Sequence, residues 1–513
     1  MRKKAVFFGG AAVVLLNLVV PPFQSPDEPH HFAAIMMMAR GEENREAVEA
    51  ETTALMDRND WWRLIGLGRP VERPARISDI PFMMDRWGGD DFMLRLDGFT
   101  LFHRLMGFVM RPFGGWSLAG AYIVCRLAVV LLFAAGLGLA WRAAGVLGGK
   151  IAAYRVMVFL AVLLVPQFLM MGAAVSADVF VFFLGAAFFW GAVAFIAQKG
   201  RFYHGAAVLF PAWMGFLADR SAFVLGVLFV VLPVFVMRRR NYQNVIVWTL
   251  LFSIFFILLV YFTALKFPLQ VERSVLRLKQ AIDGAKAAGL GGMFSLDGAK
   301  AGFWAFLGDS FYLRFGWLVF AAPEWVYWVW RAFVGAAAAG LVLGGLGSAW
   351  RALMRRWKEA SREAEVEGAE EGAVGGEGKG AGEGKTGRPG VGAAGAARAG
   401  GNGEFNPTGR WVLFSVLALF VQAAGIWVYY GANDIQAQGR YFFPLILPAA
   451  TLLVLGISGF GEAVGKRLLG GRVGGRQAVT AVVIILAWLL GFVVWNNIVP
   501  TFHMVRQGPY AGI

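Results

Sequence analysis

Apolar runs of membrane length alternate with short polar connections along most of this chain. Eleven runs, near 5–22, 117–140, 155–173, 178–197, 204–218, 221–237, 244–265, 323–347, 411–431, 442–460 and 478–498, are long enough, or nearly so, to cross about 30 Å of hydrocarbon as helices. The fifth and sixth are short and are split by Asp219-Arg220, which predicts a tilted or paired arrangement. Met1-Arg2-Lys3-Lys4 ahead of the first run resembles a secretory signal. Val19-Val20-Pro21-Pro22 follows in place of a small-residue cleavage pattern, so the run is expected to stay as an anchor. The predicted fold class is all-α, a polytopic integral membrane protein with about eleven transmembrane helices and a long first loop.

Composition agrees. Hydrophobic residues make up 58%, charged residues 16%, and mean hydropathy is +0.59; ordinary soluble domains are about 45–50% apolar and 25% charged. A single cysteine, Cys125, inside an apolar run excludes an intramolecular disulfide and a cysteine-rich metal site.

Charge sets the expected orientation. Arg2/Lys3/Lys4, Arg142/Lys150/Arg155, Lys199/Arg201, Arg238/Arg239/Arg240, Arg351/Arg355/Arg356/Lys358 and Lys466/Arg467/Arg472/Arg476 fall on one side of eleven spans. Short cytoplasmic loops hold the excess of lysine and arginine, so that side is the cytoplasm. The N-terminus is then cytoplasmic and the C-terminus extracytoplasmic. Loop 23–115 carries 15 acids against 11 arginines and no lysine, while the whole chain is +15, so the basic excess belongs to the inner face. Topology and anionic-lipid contact explain it, and nucleic acid is not an expected partner.

The stretch 357–409 is Gly/Ala/Glu/Lys-rich with nearly balanced charge and is expected to be a disordered cytoplasmic linker. It separates a membrane block, 1–356, from the C-terminal membrane helices, 410–513.

Loop 23–115 is too long for a simple connection. It opens with Pro26-Asp27-Glu28-Pro29-His30-His31-Phe32, and ionisable groups at a membrane mouth are functional candidates. Pro29 suits the first turn of a helix running to Arg40-Gly41, with Asp27 or Glu28 at its N-cap. Asp27 is therefore either a capping carboxylate or a reactive one, and the two roles can coexist. Asp27 and His31, four apart, share a helix face. They could be a base with its orienting partner, two ligands of a divalent metal, or a structural pair. Residues 42–98, with Trp61-Trp62 and Asp85 to Asp91, suggest an irregular extracytoplasmic element.

Further polar groups fall on the same predicted side: Ser176-Ala177-Asp178, Asp219-Arg220, Asp309 to Trp317, and Gln436 to Pro444. Each has a plain structural explanation: Asp178 as an N-cap, Asp219-Arg220 as an ion pair, Phe311/Phe315/Trp317 as interface aromatics, Gly439 as a turn. Their convergence on one face favours a site near the outer leaflet.

Pro26-Asp27-Glu28-Pro29-x-His31-Phe32 after a first span, Ser310-Phe311-Tyr312-x-x-Phe315-Gly316-Trp317 in the middle, and Gln438-Gly439-Arg440-Tyr441-x-x-Pro444 before the last spans resemble the bacterial multispanning proteins of domain-of-unknown-function family 2142. The resemblance covers most of the chain apart from the linker. That family often has asparagine two before the aspartate where this chain has Ser176, which departs from the pattern at Asp178. The family in turn looks like the GT-C glycosyltransferases. The resemblance implies a GT-C-like fold, a polyprenyl-phosphate sugar donor, and an essential acid in the first extracytoplasmic loop, and hence a transferase of the bacterial inner membrane. A lipid-phosphate donor brings its own leaving group, and no Walker or Rossmann motif is present.

Such a reaction requires a carboxylate for the acceptor's proton and fixed cations for the departing phosphate. Asp27 is the first candidate for the base and Glu28 the next. Arg440 is the first candidate for the phosphate clamp and Arg220 the second. Trp317 and Tyr441 would stack on sugar or line the prenyl path, and His31, Asp178 and Gln438 complete the substrate-binding set. No cofactor is assigned, and a divalent metal on Asp27, Glu28 or His31 is left open. The expected partners are the bilayer, the polyprenyl-phosphate-linked sugar, and a glycan or lipid acceptor of the cell envelope. A transporter or flippase of a lipid-linked glycan, or a non-catalytic subunit of envelope polysaccharide assembly, are the alternatives.

Overall fold

The computed structural model describes residues 23, 27–58, 100–148, 152–197, 201–218, 220–236, 242–266, 307–312, 314–315, 320–344, 407–427, 438–468 and 474–498, with isolated positions 279 and 283. Among these the chain is helical apart from a two-residue antiparallel pairing of Arg314–Phe315 with Phe320–Ala321. The expected first span, residues 357–406 of the expected linker, residues 59–99, Asp219 and Trp317 lie outside the described residues, while the last three expected linker positions, 407–409, open a helix.

In chain order the helices are α1 Glu28–Arg40, α2 Arg45–Arg58, α3 Leu101–Met110, α4 Leu118–Gly148, α5 Ala152–Leu163, α6 Pro166–Gly172, α7 Ala177–Ile196, α8 Phe202–Ala218, α9 Phe223–Val236 and α10 Tyr242–Lys266. They continue with α11 Glu324–Gly344, α12 Pro407–Ile426, a 3-10 turn Gly439–Leu445 running into α13 Ile446–Leu468, and α14 Gly475–Val493.

Among the described residues six helices are long and apolar enough to cross a membrane, as expected of a helical membrane protein. They are Leu118–Leu147, Ala177–Ile196, Glu324–Gly344, Gly409–Ile426, Gly439–Gly465 and Gly475–Asn496. The run expected as one span over 155–173 is instead a pair, α5 and α6, bent by 71°. Pro166 explains the bend, because a proline lacks the N–H that would continue the ladder from α5.

Helix α7 is the centre. Its sequence is apolar all round, which marks a helix surrounded by protein rather than one with a wet face. Accordingly 83% of its membrane window is buried, against 22% for Glu324–Gly344 and for Gly475–Asn496, which lie at the periphery. Phe133 of α4, Phe168 of α6, Phe182 of α7 and Phe443 of the 3-10 turn form one aromatic stack, with centroids 4.6–5.4 Å apart. Gly185 of α7 lies so close to Pro444 that a Cβ would overlap the proline carbonyl. The stack and this contact fix the Gly439–Leu445 turn against α7, while α1 packs on α3 beside the same end of the bundle.

Candidate functional site

The site starts from a strained residue. Asp27 occupies the N-cap position of α1 with φ 61° and ψ 2°, a left-handed backbone. That conformation costs an L-residue about 1–2 kcal/mol, and aspartate tolerates it better than most. Its carboxylate does not cap the helix. Instead Arg440 Nη2 donates to Asp27 Oδ2 at 2.6 Å.

Arg440 also reaches a second carboxylate, with Nη1 3.4 Å from Asp178 Oδ2. Ser176, rather than Asp178, is the N-cap of α7: its Oγ accepts from the Asp178 N–H at 3.1 Å. The Asp178 side chain is thereby left to face Arg440. One guanidinium thus joins two acids from distant parts of the chain. The Arg440 and Asp178 side chains are about nine-tenths buried, whereas Asp27 is 36% exposed. Burial pushes the Asp27 carboxyl up, but the Arg440 charge, the nearby His31 and the Arg440 hydrogen bond outweigh it and hold it below its ordinary range.

Local packing explains why Arg440 is here. The Gly439 N–H donates to Ser310 Oγ at 2.7 Å, and a Cβ on Gly439 would fall within the backbone of Phe311. Gln422 Nε2 donates to the carbonyls of Ser221 and Tyr441. The turn is therefore gripped on both sides of Arg440. Gly439, expected as a plain turn residue, is a point of close backbone approach.

Glu28 belongs to a different arrangement. It is fully buried, and Oε1 accepts from Tyr122 Oη at 2.8 Å, Val175 N at 2.9 Å and Arg126 Nε at 3.1 Å, while Arg126 Nη2 donates to Oε2 at 3.2 Å. This placement does not suit the second catalytic carboxylate or the metal ligand expected of it: four donors occupy its oxygens and no surface is open to a substrate. Glu28 ties the start of α1 to α4 and to the turn before α7.

His31 meets a partner that the motif reading did not include. Its Nδ1 lies 2.9 Å from Nε2 of His103, whose Nδ1 faces Thr100. Burial, followed by His31, holds His103 well below its ordinary range. His30 is buried with neither ring nitrogen hydrogen-bonded, and burial drives it down to about 4. Among the described residues no group of three or more His, Cys, Asp or Glu could hold a metal ion. The open metal proposal on Asp27, Glu28 and His31 does not fit, since Glu28 is turned to Arg126 and His31 Nδ1 to His103.

Of the remaining expected site residues, Gln438 precedes the turn with its Oε1 buried and unbonded. Tyr441 is buried beneath Arg440, whose guanidinium carbon lies 5.8 Å from the ring centre. Arg220 opens a 3-10 turn before α9. Trp317 lies outside the described residues.

An apolar cavity of about 760 Å³ adjoins the same turn. Phe311, Trp330, Phe442 and Ile446 line it, together with Asp309 and Arg331, whose Nη2 donates to both Asp309 carboxylate oxygens at 2.9 Å. Phe311, expected as an interface aromatic, packs inward here on Trp330 and Phe442. Arg331 was not anticipated. An arginine inside the apolar run 323–347 was the available signal, because such a group needs a partner.

No protein-family model, curated protein or solved structure matches the chain. The resemblance to family 2142 rests on the motifs quoted above.

Proposed function

We propose that the protein is a membrane glycosyltransferase, GT-C-like with about eleven spans, that moves a sugar from a polyprenyl-phosphate donor to an envelope glycan or lipid acceptor at the extracytoplasmic face of a bacterial inner membrane. The observation that carries this reading is the contact of the part-exposed Asp27 carboxylate with the buried Arg440 guanidinium, on a turn that also lines an apolar cavity. In this reading Asp27 takes the proton of the acceptor hydroxyl as its oxygen bonds to the sugar C1. The bond from C1 to the phosphate oxygen breaks, and polyprenyl phosphate leaves with its charge on Arg440. Both terminal nitrogens of Arg440 already hold carboxylates, so an incoming phosphate must displace one of them. Asp27 is the one displaced, being the more exposed. Released from Arg440, it becomes a stronger base when the donor arrives. The cavity beside Phe442 suits the first part of the prenyl chain.

The break between α5 and α6 favours a second reading, since transporters build their sites on broken spans. Proteoliposomes loaded with a radiolabelled polyprenyl-phosphate sugar and an envelope glycan extract separate the two. Transfer moves label onto glycan; a flippase carries the intact lipid between leaflets with no label on glycan.

A further inference from the structure

The proposed reaction uses Asp27 and Arg440 and leaves open whether His31 acts as a base or as a donor. Hydrogen-bond direction decides this. Thr100 is the N-cap of α3, and His103 sits three residues on, where a capping box places glutamate or glutamine. The Thr100 backbone N–H points at His103 Nδ1 at 3.1 Å, and the Thr100 hydroxyl lies 2.9 Å from the same nitrogen. A backbone N–H can only donate, so His103 Nδ1 is the bare, accepting nitrogen. In a neutral imidazole the proton is then on Nε2. That nitrogen faces His31 Nδ1 at 2.9 Å, with the rings stacked at a centroid separation of 5.1 Å and an inclination of 27°. His31 Nδ1 must accept, and its own proton sits on Nε2.

We infer that Thr100 and His103 act as a tautomer lock, holding His31 as a neutral Nε2–H donor one helical turn from Asp27. The His31 N–H bonds to the Asp27 carbonyl at 2.9 Å, which places the two residues on successive turns of one strand of helix. Both lone-pair options of His31 are closed: Nδ1 is occupied by His103 and Nε2 carries the proton. His31 is then neither a base nor a metal ligand. It offers one fixed N–H, which can steady the Asp27 carboxylate or the acceptor hydroxyl; only this last assignment rests on the transferase reading. His103 is a positioning residue that acts through His31, and its capping of α3 gives the lock its direction.

The test uses the detergent-solubilised full chain with nitrogen-15-labelled histidine. The chain has only five histidines, so single substitutions assign each imidazole. His31 is expected in the Nε2–H form; an Nδ1–H or charged His31 overturns the lock. His103→Gln keeps an acceptor for Thr100 and a donor for His31, so the His31 tautomer should stand and transfer should stay within about threefold. His103→Glu keeps the cap in its usual form but offers His31 no donor. His31 should then flip to Nδ1–H or take a second proton, with transfer down about ten- to a hundredfold, as for loss of one charge-assisted hydrogen bond. A purely structural cap makes the two variants alike, and that result overturns the proposal. Flipped tautomer with undiminished transfer removes the donor role. Should the wild type transfer no sugar at all, the transferase reading fails while the nitrogen spectra still decide the lock.

Discussion

Asp27 and Arg440, 413 positions apart in the chain, meet at 2.6 Å. Nothing local brings them together. Arg440 is delivered by a turn wedged between Ser310-Phe311 and α7, and Asp27 by a left-handed residue at the start of α1. Two separately braced elements holding one ion pair are what a preorganised site requires.

Glu28 should behave as an anchor. Glu28→Gln removes the carboxylate charge that the buried Arg126 faces, a loss of about 3–5 kcal/mol. Melting in detergent should show a large fall, much of it recovered when Arg126→Met is added. Normal melting with transfer lost would return Glu28 to the catalytic set.

Acid should destabilise the protein through His30. The folded His30 stays neutral down to about 4, whereas an unfolded histidine takes its proton near 6.5. Between those values the unfolded chain binds more protons, so stability falls as pH falls from about 6.5 to about 4. Asp27, held below the ordinary carboxylate range, contributes stability above that range and loses it only at still lower pH. His30→Gln should flatten the melting profile across this window, by roughly 3 kcal/mol at its acid end. Parallel profiles for the two proteins would show that His30 is not buried neutral.

Gly439→Ala should displace the turn that carries Arg440. The added methyl meets the backbone of Phe311, which cannot rotate away. Overpacking of this kind costs about 1–3 kcal/mol, so melting should drop modestly while transfer falls more than tenfold. A variant that keeps both would show that the close approach is not needed.

Hydropathy made the helices legible, because an apolar run of membrane length has few other fates. The proline-boxed acids, Ser176-Ala177-Asp178 and the Gln-Gly-Arg-Tyr motif also pointed to residues that the fold brings together, Asp27, Asp178 and Arg440. What each carboxylate does was not legible. Adjacent Asp27 and Glu28 look alike in sequence, yet the first residue faces outward from a cap position while the second turns into the helix and meets Arg126. Arg126 itself lies in the apolar run 117–140, where a lone guanidinium implied a buried acid that went unassigned. His103 was hidden for another reason: a histidine replaces the usual glutamate of a capping box, and its contact with His31 is tertiary. The bend at Pro166 was readable from the proline alone, but the apolar run on both sides masked it.

Asp27→Asn tests the account most directly. Asparagine keeps the size and suits the left-handed backbone, and Arg440 keeps Asp178, so the melting temperature should fall only by the modest amount that the Asp27 charge contributes. The amide cannot take the acceptor's proton, and incorporation of sugar from a polyprenyl-phosphate donor into envelope glycan should fall by about a hundredfold or more. A folded Asp27→Asn protein that transfers sugar at close to the wild-type rate would contradict the assignment of Asp27 as the base.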